Sequence, residues 1–215
     1  MKLNKAELSK ALCLYAVTDR HWLKNESLSS VVEKAIKGGT TFVQLREKNC
    51  SDEEFLRIAF EVKDVCKKYG VPFVINDNVK VAAECGADGV HVGQSDMNAV
   101  NVREIVGEDA ILGVSAQTVE QALLAEKQGA DYLGVGAVFA TSSKDDADSV
   151  SREMLKAICD AVKIPVVAIG GINLSNVGEL SGTGICGVSV ISAIFGADDV
   201  ENAAREMRAK CEELK

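Results

Sequence analysis

Short apolar runs alternate with longer amphipathic stretches along the whole chain. Runs such as 41–45, 132–135 and 166–169 have the length and apolar content of buried strands. Between such runs, apolar residues recur at helical spacing, as in 28–36, and glycine often follows the last residue of the stretch. Taken in chain order, the pattern predicts eight strands, each followed by a helix.

The expected boundaries follow from the same pattern. Ser51, with Glu54 three residues on, predicts the start of a helix that runs to residue 69. The predicted strands are 12–17, 41–45, 73–75, 88–92, 110–114, 132–135, 166–169 and 187–190. Besides a first helix at 4–10, the predicted helices include 28–36, 51–69, 99–106, 118–128, 152–162, 174–180 and 200–211, with a short one ending at residue 85.

Eight repeats of a buried strand and an amphipathic helix predict an α/β fold, the (β/α)8 TIM barrel. No Pro/Gly/Ser-rich linker interrupts the 215 residues, so residues 1–215 are expected to form a single barrel domain. A doubly wound open sheet is the alternative. It rarely has eight units and usually opens with a glycine-rich turn, whereas the first strand here leads into Thr18-Asp19-Arg20.

Composition narrows the class of protein. A net charge of −8 argues against non-specific nucleic-acid binding, so a basic site has to be a local feature of an acidic surface. No apolar run approaches the length of a membrane span, and the N-terminus lacks the apolar block of a signal peptide. The seven cysteines are odd in number and lack C-x-x-C spacing, which indicates reduced core residues of a cytoplasmic protein.

The histidine count limits the kind of metal site. With only His21 and His91, a multi-histidine site is excluded. A metal here would have to be held by carboxylates, which points to Mg²⁺ or a similar hard cation.

In a (β/α)8 barrel the active site lies at the C-terminal ends of the strands. Each polar residue at these ends is, alone, a common turn or cap residue. Together at neighbouring strand ends they predict a binding site. They are Gln44, Arg46 and Lys48 after strand two, Asn76 and Asp77 after three, Gln94 and Asp96 after four, Ser115 after five, Thr141, Ser142, Ser143 and Lys144 after six, Gly170 and Gly171 after seven, and Ile191 and Ser192 after eight.

These residues divide into two anion sites. The glycines after strand seven and the residues after strand eight occupy the usual phosphate position of such barrels, where Thr141 and Ser143 can add hydroxyls. On the other side, four donors surround two acids, Asp77 and Asp96. The acids belong either to a structural ion-pair network or to a Mg²⁺ site that bridges them to a diphosphate. The four donors are Arg46, Lys48, Asn76 and Lys144.

Eight segments in order closely resemble the thiamine phosphate synthase family over almost the whole chain. They read L-Y-A-V-T-D, Q-L-R-E-K, I-N-D, H-V-G-Q-S-D, G-V-S-A-Q-T, A-V-F-A-T-S-S-K, A-I-G-G-I and V-S-V-I-S-A-I. The resemblance implies an enzyme, a transferase that joins an aminopyrimidine methyl diphosphate to a thiazole ethyl phosphate and releases pyrophosphate with Mg²⁺. Its expected partners are these two small molecules, with neither nucleic acid nor membrane, and a homo-oligomer is compatible with it.

The resemblance also implies roles for individual residues. Asp77 and Asp96 would bind Mg²⁺, and Arg46, Lys48 and Lys144 would stabilise the leaving group. The residues that would hold the pyrimidine diphosphate are Gln44, Leu45, Arg46, Glu47, Lys48, Asn76, Ser115 and Lys144. Those that would line the thiazole phosphate site are Thr141, Ser142, Ser143, Gly171, Ile191 and Ser192.

One position departs from the family pattern. After strand five the family often reads S-x-H-[ST], whereas this chain has Ser115-Ala116-Gln117-Thr118. Gln117 can form hydrogen bonds but cannot exchange a proton near neutral pH, which puts any role for an imidazole there in doubt.

Three other functions fit parts of the pattern less well. A thiazole tautomerase-like isomerase would need a proton-shuttling side chain and no diphosphate clamp, and Gln117 argues against it. A non-catalytic regulatory relative would be expected to lose the metal acids or Lys144, which are present. A generic sugar-phosphate isomerase would leave the second anion site unused.

Overall fold

The computed structural model describes residues 3–48, 50–93, 99–140 and 149–214, with residues 99 and 100 described by their backbone alone. Within these ranges eight parallel strands pair in chain order and the last pairs with the first, which closes a barrel. The predicted α/β TIM barrel is confirmed. The strands are β1 Leu14–Val17, β2 Phe42–Leu45, β3 Phe73–Asn76, β4 Gly89–Val92, β5 Ile111–Ala116, β6 Tyr132–Val135, β7 Val166–Ile169 and β8 Gly187–Val190.

Helices cover the outside of the barrel, and side-chain caps begin most of them. Ser51 accepts the backbone N–H of Glu54 at 3.2 Å, and the same helix ends at Gly70 in the left-handed conformation, φ 67°. No described helix is long and apolar enough to cross a membrane. The helices are α1 Lys5–Ala11, α2 Leu28–Lys37, α3 Asp52–Tyr69, α4 Val79–Cys85, α5 Ala99–Val106, α6 Val119–Lys127, α7 Arg152–Ala161, α8 Ser192–Phe195 and α9 Val200–Glu212.

The helix predicted at 174–180 is wrong in type and length. Only a 3₁₀ turn, Val177–Leu180, forms there. The side chains of Asn173 and Asn176 bind the local backbone instead, and Nδ2 of Asn176 donates to the carbonyl oxygen of Gly171 at 2.9 Å. Asn side chains that bind nearby backbone in this way favour a local turn, which agrees with the 3₁₀ turn in place of a helix. The structure adds a second 3₁₀ turn, Arg20–Trp22, and the short helix α8.

Two apolar layers hold the barrel together. The larger lies between the strands and the helices, and the smaller fills the barrel interior. Leu8 and Leu12, from α1 and the residue after it, pack against the interior layer and close the N-terminal end. The opposite, C-terminal end is the one at which the site is expected. The buried interior residues from the strands are Tyr15, Val17, Phe42, Val74, Ile111, Tyr132 and Val167.

Candidate active site

The end of β2 directs alternate side chains to opposite sides of the barrel wall. Gln44 lies in the interior, where its Nε2 donates to the hydroxyl of Tyr15, whereas Leu45 is fully buried in the outer layer. Arg46 follows Gln44 by two residues and so lies on the interior side. Its backbone N–H donates to the hydroxyl of Thr18 at 3.0 Å, which holds the main chain of β2 to the end of β1.

Arg46 is a nearly buried cation. Only 8% of the residue is exposed, and among the described residues its guanidinium forms no ion pair and no side-chain hydrogen bond. Burying a charge is costly unless a counter-ion compensates it. The arrangement suits an anionic ligand that supplies this compensation.

The side chain of Glu47 is buried and forms an ion pair within the protein. Its side chain is 2% exposed, and its Oε2 lies 2.5 Å from Nε of Arg20, which also reaches Glu54 at 2.9 Å. Burial raises the pKa of the Glu47 carboxyl, and the nearby Arg20 opposes this only in part. The three side chains join the loop after β2 to the turn after β1 and to the start of α3. Lys48, by contrast, is exposed and has no ion pair among the described residues.

Asp77 has an unusual backbone at the end of β3. Its φ is 60°, the left-handed region that non-glycine residues rarely adopt. Its backbone N–H donates to the carbonyl oxygen of His91 at 2.9 Å, and Nδ2 of Asn76 lies 2.5 Å from its carboxylate. Strained backbone of this kind concentrates at functional sites. It turns the chain out of β3 at Asp77, directly after Asn76 and beside the ends of β2 and β4.

The described residues fit a metal that is held mainly by substrate. No group of three or more His, Cys, Asp or Glu side chains able to hold a metal ion occurs within the described part of the chain. Mg²⁺ does not need such a cage, because one or two carboxylates, phosphate oxygens and waters satisfy it. Asp77 supplies one carboxylate at the barrel mouth. Asp96, the second predicted ligand, lies outside the described residues.

A chain of hydrogen bonds crosses the barrel interior beneath the mouth. Ser115 on β5 lies 3.0 Å from Nε2 of His91, whose Nδ1 lies 3.0 Å from the hydroxyl of Tyr132. That hydroxyl lies 2.8 Å from the hydroxyl of Tyr15, which accepts from Gln44. Neither tyrosine nor His91 was predicted from the sequence as a site residue. The sequence did carry a signal for them, because each places a polar atom at an interior position of a strand that is otherwise apolar.

The glycines after β7 are required by backbone packing. Gly170 and Gly171 have φ values of 99° and 64°. A Cβ atom at Gly170 would lie 2.5 Å from the Cβ of Ala137, and one at Gly171 would overlap the carbonyl oxygen of Ala140. The loop after β6 therefore lies directly against the loop after β7. This close approach accounts for the glycine pair whether or not a phosphate binds there.

Ile191 and Ser192 follow β8, next to the glycine pair at the end of β7. Ser192 is exposed and begins α8, and the carbonyl oxygen of Ile191 accepts the backbone N–H of Phe195 at 3.0 Å. The structure thus brings Gly171, Ile191 and Ser192 to adjacent strand ends. The remaining predicted site residues lie outside the described ranges: Thr141, Ser142, Ser143 and Lys144.

Comparisons with known proteins agree with the geometry. The family model for thiamine monophosphate synthase matches residues 14–194. The thiamine-phosphate synthase of Clostridium tetani is 56% identical over 194 residues, which cover 90% of this chain and 93% of that protein. That of Clostridioides difficile is 49% identical over 208 residues, covering 97% and 99%.

Solved structures lead to the same family. The thiamine phosphate pyrophosphorylase of Pyrococcus furiosus superposes with a TM-score of 0.89 at 42% identity and covers 96% of this chain and 98% of that one. A 3-hexulose-6-phosphate synthase, at 19% identity and a TM-score of 0.69, shares the fold alone. With a family match over most of its length and relatives near half identity, the chain belongs to the thiamine monophosphate synthase family.

Proposed function

We propose that the protein is a thiamine phosphate synthase. It joins 4-amino-2-methyl-5-(diphosphooxymethyl)pyrimidine to thiazole ethyl phosphate and releases pyrophosphate. The observation that carries the proposal is Arg46, a residue only 8% exposed at the barrel mouth, whose guanidinium has no counter-ion among the described residues. A diphosphate leaving group supplies the missing negative charge.

The diphosphate is held on the side of β2 to β5. Arg46 binds its oxygens in a fork, and Lys48 and Lys144 add point charges. Asn76 and Ser115 contribute polar contacts, and Gln44 faces the pyrimidine. Because the side chains of Leu45 and Glu47 are buried or ion-paired, these two residues contribute through their backbone.

The thiazole phosphate is held on the side of β6 to β8. Backbone N–H groups at Gly171, Ile191 and Ser192 face its phosphate, and hydroxyls of Thr141, Ser142 and Ser143 complete the site. The close packing of Gly171 on the preceding loop holds this backbone in place. The two phosphates thus lie on opposite sides of one barrel mouth.

Asp77 and Asp96, together with the diphosphate, would hold Mg²⁺, which would supply positive charge to the departing pyrophosphate. The other contributions come from the chain. Arg46, Lys48 and Lys144 stabilise the leaving group as its C–O bond breaks, and the electron-rich aminopyrimidine supports the resulting methylene cation. The thiazole nitrogen, held nearby through its phosphate, then attacks this carbon.

The direct test is incubation of the purified protein with both substrates and Mg²⁺. Thiamine phosphate and pyrophosphate should appear in equal amounts, measured by chromatography and by a coupled pyrophosphate assay. Each substrate alone should give no thiamine phosphate. Failure to form thiamine phosphate from the complete mixture would reject the proposed function.

A further inference from the structure

The hydrogen-bond chain beneath the mouth joins two substrate-facing residues that lie on β2 and β5. Gln44 and Ser115 are the first and last residues of its described part, and Tyr15, Tyr132 and His91 lie between them. The two tyrosines are at most 1% exposed and His91 is 8% exposed, so solvent cannot replace these bonds easily. The chain therefore couples the orientation of one end to that of the other.

The donors and acceptors along this chain can be ordered in one direction. The amide nitrogen of Gln44 donates to the hydroxyl of Tyr15, and that hydroxyl can give its single proton to Tyr132, although either oxygen of the tyrosine pair is able to donate. Tyr132 can then donate to Nδ1 of His91, and in a neutral imidazole this would place the ring proton on Nε2. Nε2–H would then donate to Ser115, and the hydroxyl proton of Ser115 would lie on the side away from His91.

The ionisation states of the tyrosines are compatible with this order. Burial raises the pKa of both tyrosines above the ordinary value for a phenol, so each hydroxyl keeps one proton and serves as one donor. No proton has to move during the reaction. The chain acts by orienting dipoles.

Two glycines in the barrel strands leave space for the side chains of this hydrogen-bond chain. A Cβ atom at Gly113 would overlap the ring of Tyr132 and Nδ1 of His91, and one at Gly134 would lie 3.0 Å from Cε1 of His91. Gly113 does not have a positive φ, so space alone requires glycine there. Glycines on the neighbouring strands β5 and β6 thus leave the space that the side chains of His91 and Tyr132 occupy.

We propose that Tyr15, Tyr132 and His91 are positioning residues that make Ser115 a hydrogen-bond donor and the Oε1 atom of Gln44 an acceptor toward the pyrimidine. An aminopyrimidine presents the complementary pair, an exocyclic amino group that donates and a ring nitrogen that accepts. A buried polar site of this kind rejects analogues that lack the matching group. This inference rests on the proposed function for the identity of the substrate.

The first test reads the proton position on His91 without any substrate. Nitrogen-15 NMR of the imidazoles at pH 7.5 should give the Nε2–H tautomer for His91, with His21→Gln used to assign the two histidines. Tyr132→Phe removes the donor to Nδ1 and should shift His91 toward the Nδ1–H tautomer. Tyr69→Phe is the matched control, because that hydroxyl bonds Glu33 at the surface, and it should leave His91 unchanged. A charged or Nδ1–H imidazole in the wild type, or no change in Tyr132→Phe, would overturn the inference.

The second test separates the two substrates. Tyr132→Phe should raise the KM for the pyrimidine diphosphate about tenfold, the effect of one misdirected buried hydrogen bond, and change the KM for the thiazole phosphate less than about twofold. Tyr15→Phe should also raise the pyrimidine KM, through Gln44, while His91 keeps the Nε2–H tautomer. Equal effects on both substrates would indicate a merely structural role and contradict the inference. A wild type with the expected tautomer but no turnover would instead refute the proposed function.

Discussion

Replacing Arg46 by methionine should stabilise the substrate-free protein and impair the reaction at the same time. Methionine has a similar length and no charge, so it can fill the space without the cost of burying a cation. Arg46 is only 8% exposed and lacks a described counter-ion, and the backbone bond between residue 46 and Thr18 does not depend on the side chain. We expect opposite signs for stability and activity, as is common for functional residues.

The magnitudes follow from the burial. Relief from an uncompensated buried charge should raise the free energy of unfolding by about 1–2 kcal/mol. For a chain of 215 residues this corresponds to an increase in Tm of about 2–8 °C. Loss of a charge-assisted contact to the leaving group should cost about 2–4 kcal/mol of transition-state stabilisation, or roughly 30- to 900-fold in kcat/KM.

Two measurements check this prediction. Denaturant unfolding gives the change in stability, and steady-state kinetics give the loss in kcat/KM, expected mainly for the pyrimidine diphosphate. Pyrophosphate with Mg²⁺ should raise the Tm of the wild type, because a ligand at about 100 times its Kd adds roughly 2.7 kcal/mol, and should do so much less in the variant.

The matched control is Arg57→Met. Arg57 lies on α3, its side chain is 62% exposed, and it pairs with Glu61 one helical turn on. Its replacement should change stability by less than about 0.5 kcal/mol and leave the kinetics as in the wild type. If Arg46→Met instead loses stability and its activity falls only with the folded fraction, the assignment of Arg46 to an anion site is refuted.

Three further predictions concern the metal, pH and the thiols. Asp96→Asn should keep the Tm of the wild type but lose Mg²⁺-dependent turnover. A fall in Tm, with activity decreasing in parallel, would instead favour the structural ion-pair network. Full activity of the wild type in excess EDTA would reject the metal. Burial raises the folded-state pKa of Glu47 above its ordinary 4.5, so folding disfavours the ionised carboxylate. As the pH falls from 7 through that raised pKa toward 4.5, the wild type should therefore gain stability relative to Glu47→Gln in denaturant titrations. Parallel curves of stability against pH for the two proteins would contradict this. Burial raises the pKa values of Cys66 and Cys186 to about 12, so neither thiol should react with a thiol reagent at pH 8 in the native protein. After denaturation all seven cysteines should react. Rapid labelling of Cys66 or Cys186 in the native protein would be the contrary result.

The alternation of apolar runs and amphipathic stretches was enough to predict the fold. The strands expected at 132–135 and 166–169 have those bounds in the structure, because buried parallel strands are nearly continuous apolar runs. The pattern failed at 174–180, where apolar spacing suggested a helix. There the side chains of Asn173 and Asn176 bind backbone atoms of residues 171, 173 and 175, and apolar spacing does not record this local turn.

Barrel topology likewise placed the candidate site in advance. Since the C-terminal ends of parallel strands share one edge, residues such as Gln44 and Asn76 were expected near one another, and the pairing of β2 with β3 places them at adjacent strand ends. The sequence did not indicate that Glu47 forms an ion pair with Arg20, because that pair joins two separate loops. Nor did it indicate the left-handed backbone of Asp77, whose N–H donates to the carbonyl oxygen of His91, a residue on the neighbouring strand.

The sequence by itself determined the order and type of most elements, the barrel, the end at which the site is expected and the family. These features depend on local periodicity and on motifs that are contiguous in the chain. Only the tertiary structure decided which polar groups satisfy one another. Tyr15 and Tyr132 are 117 residues apart, yet their hydroxyls meet at 2.8 Å because barrel closure directs both side chains into one interior layer. Their partnership, and the space that Gly113 leaves for it, depend on strand register and packing, which arise only when all eight strands have paired.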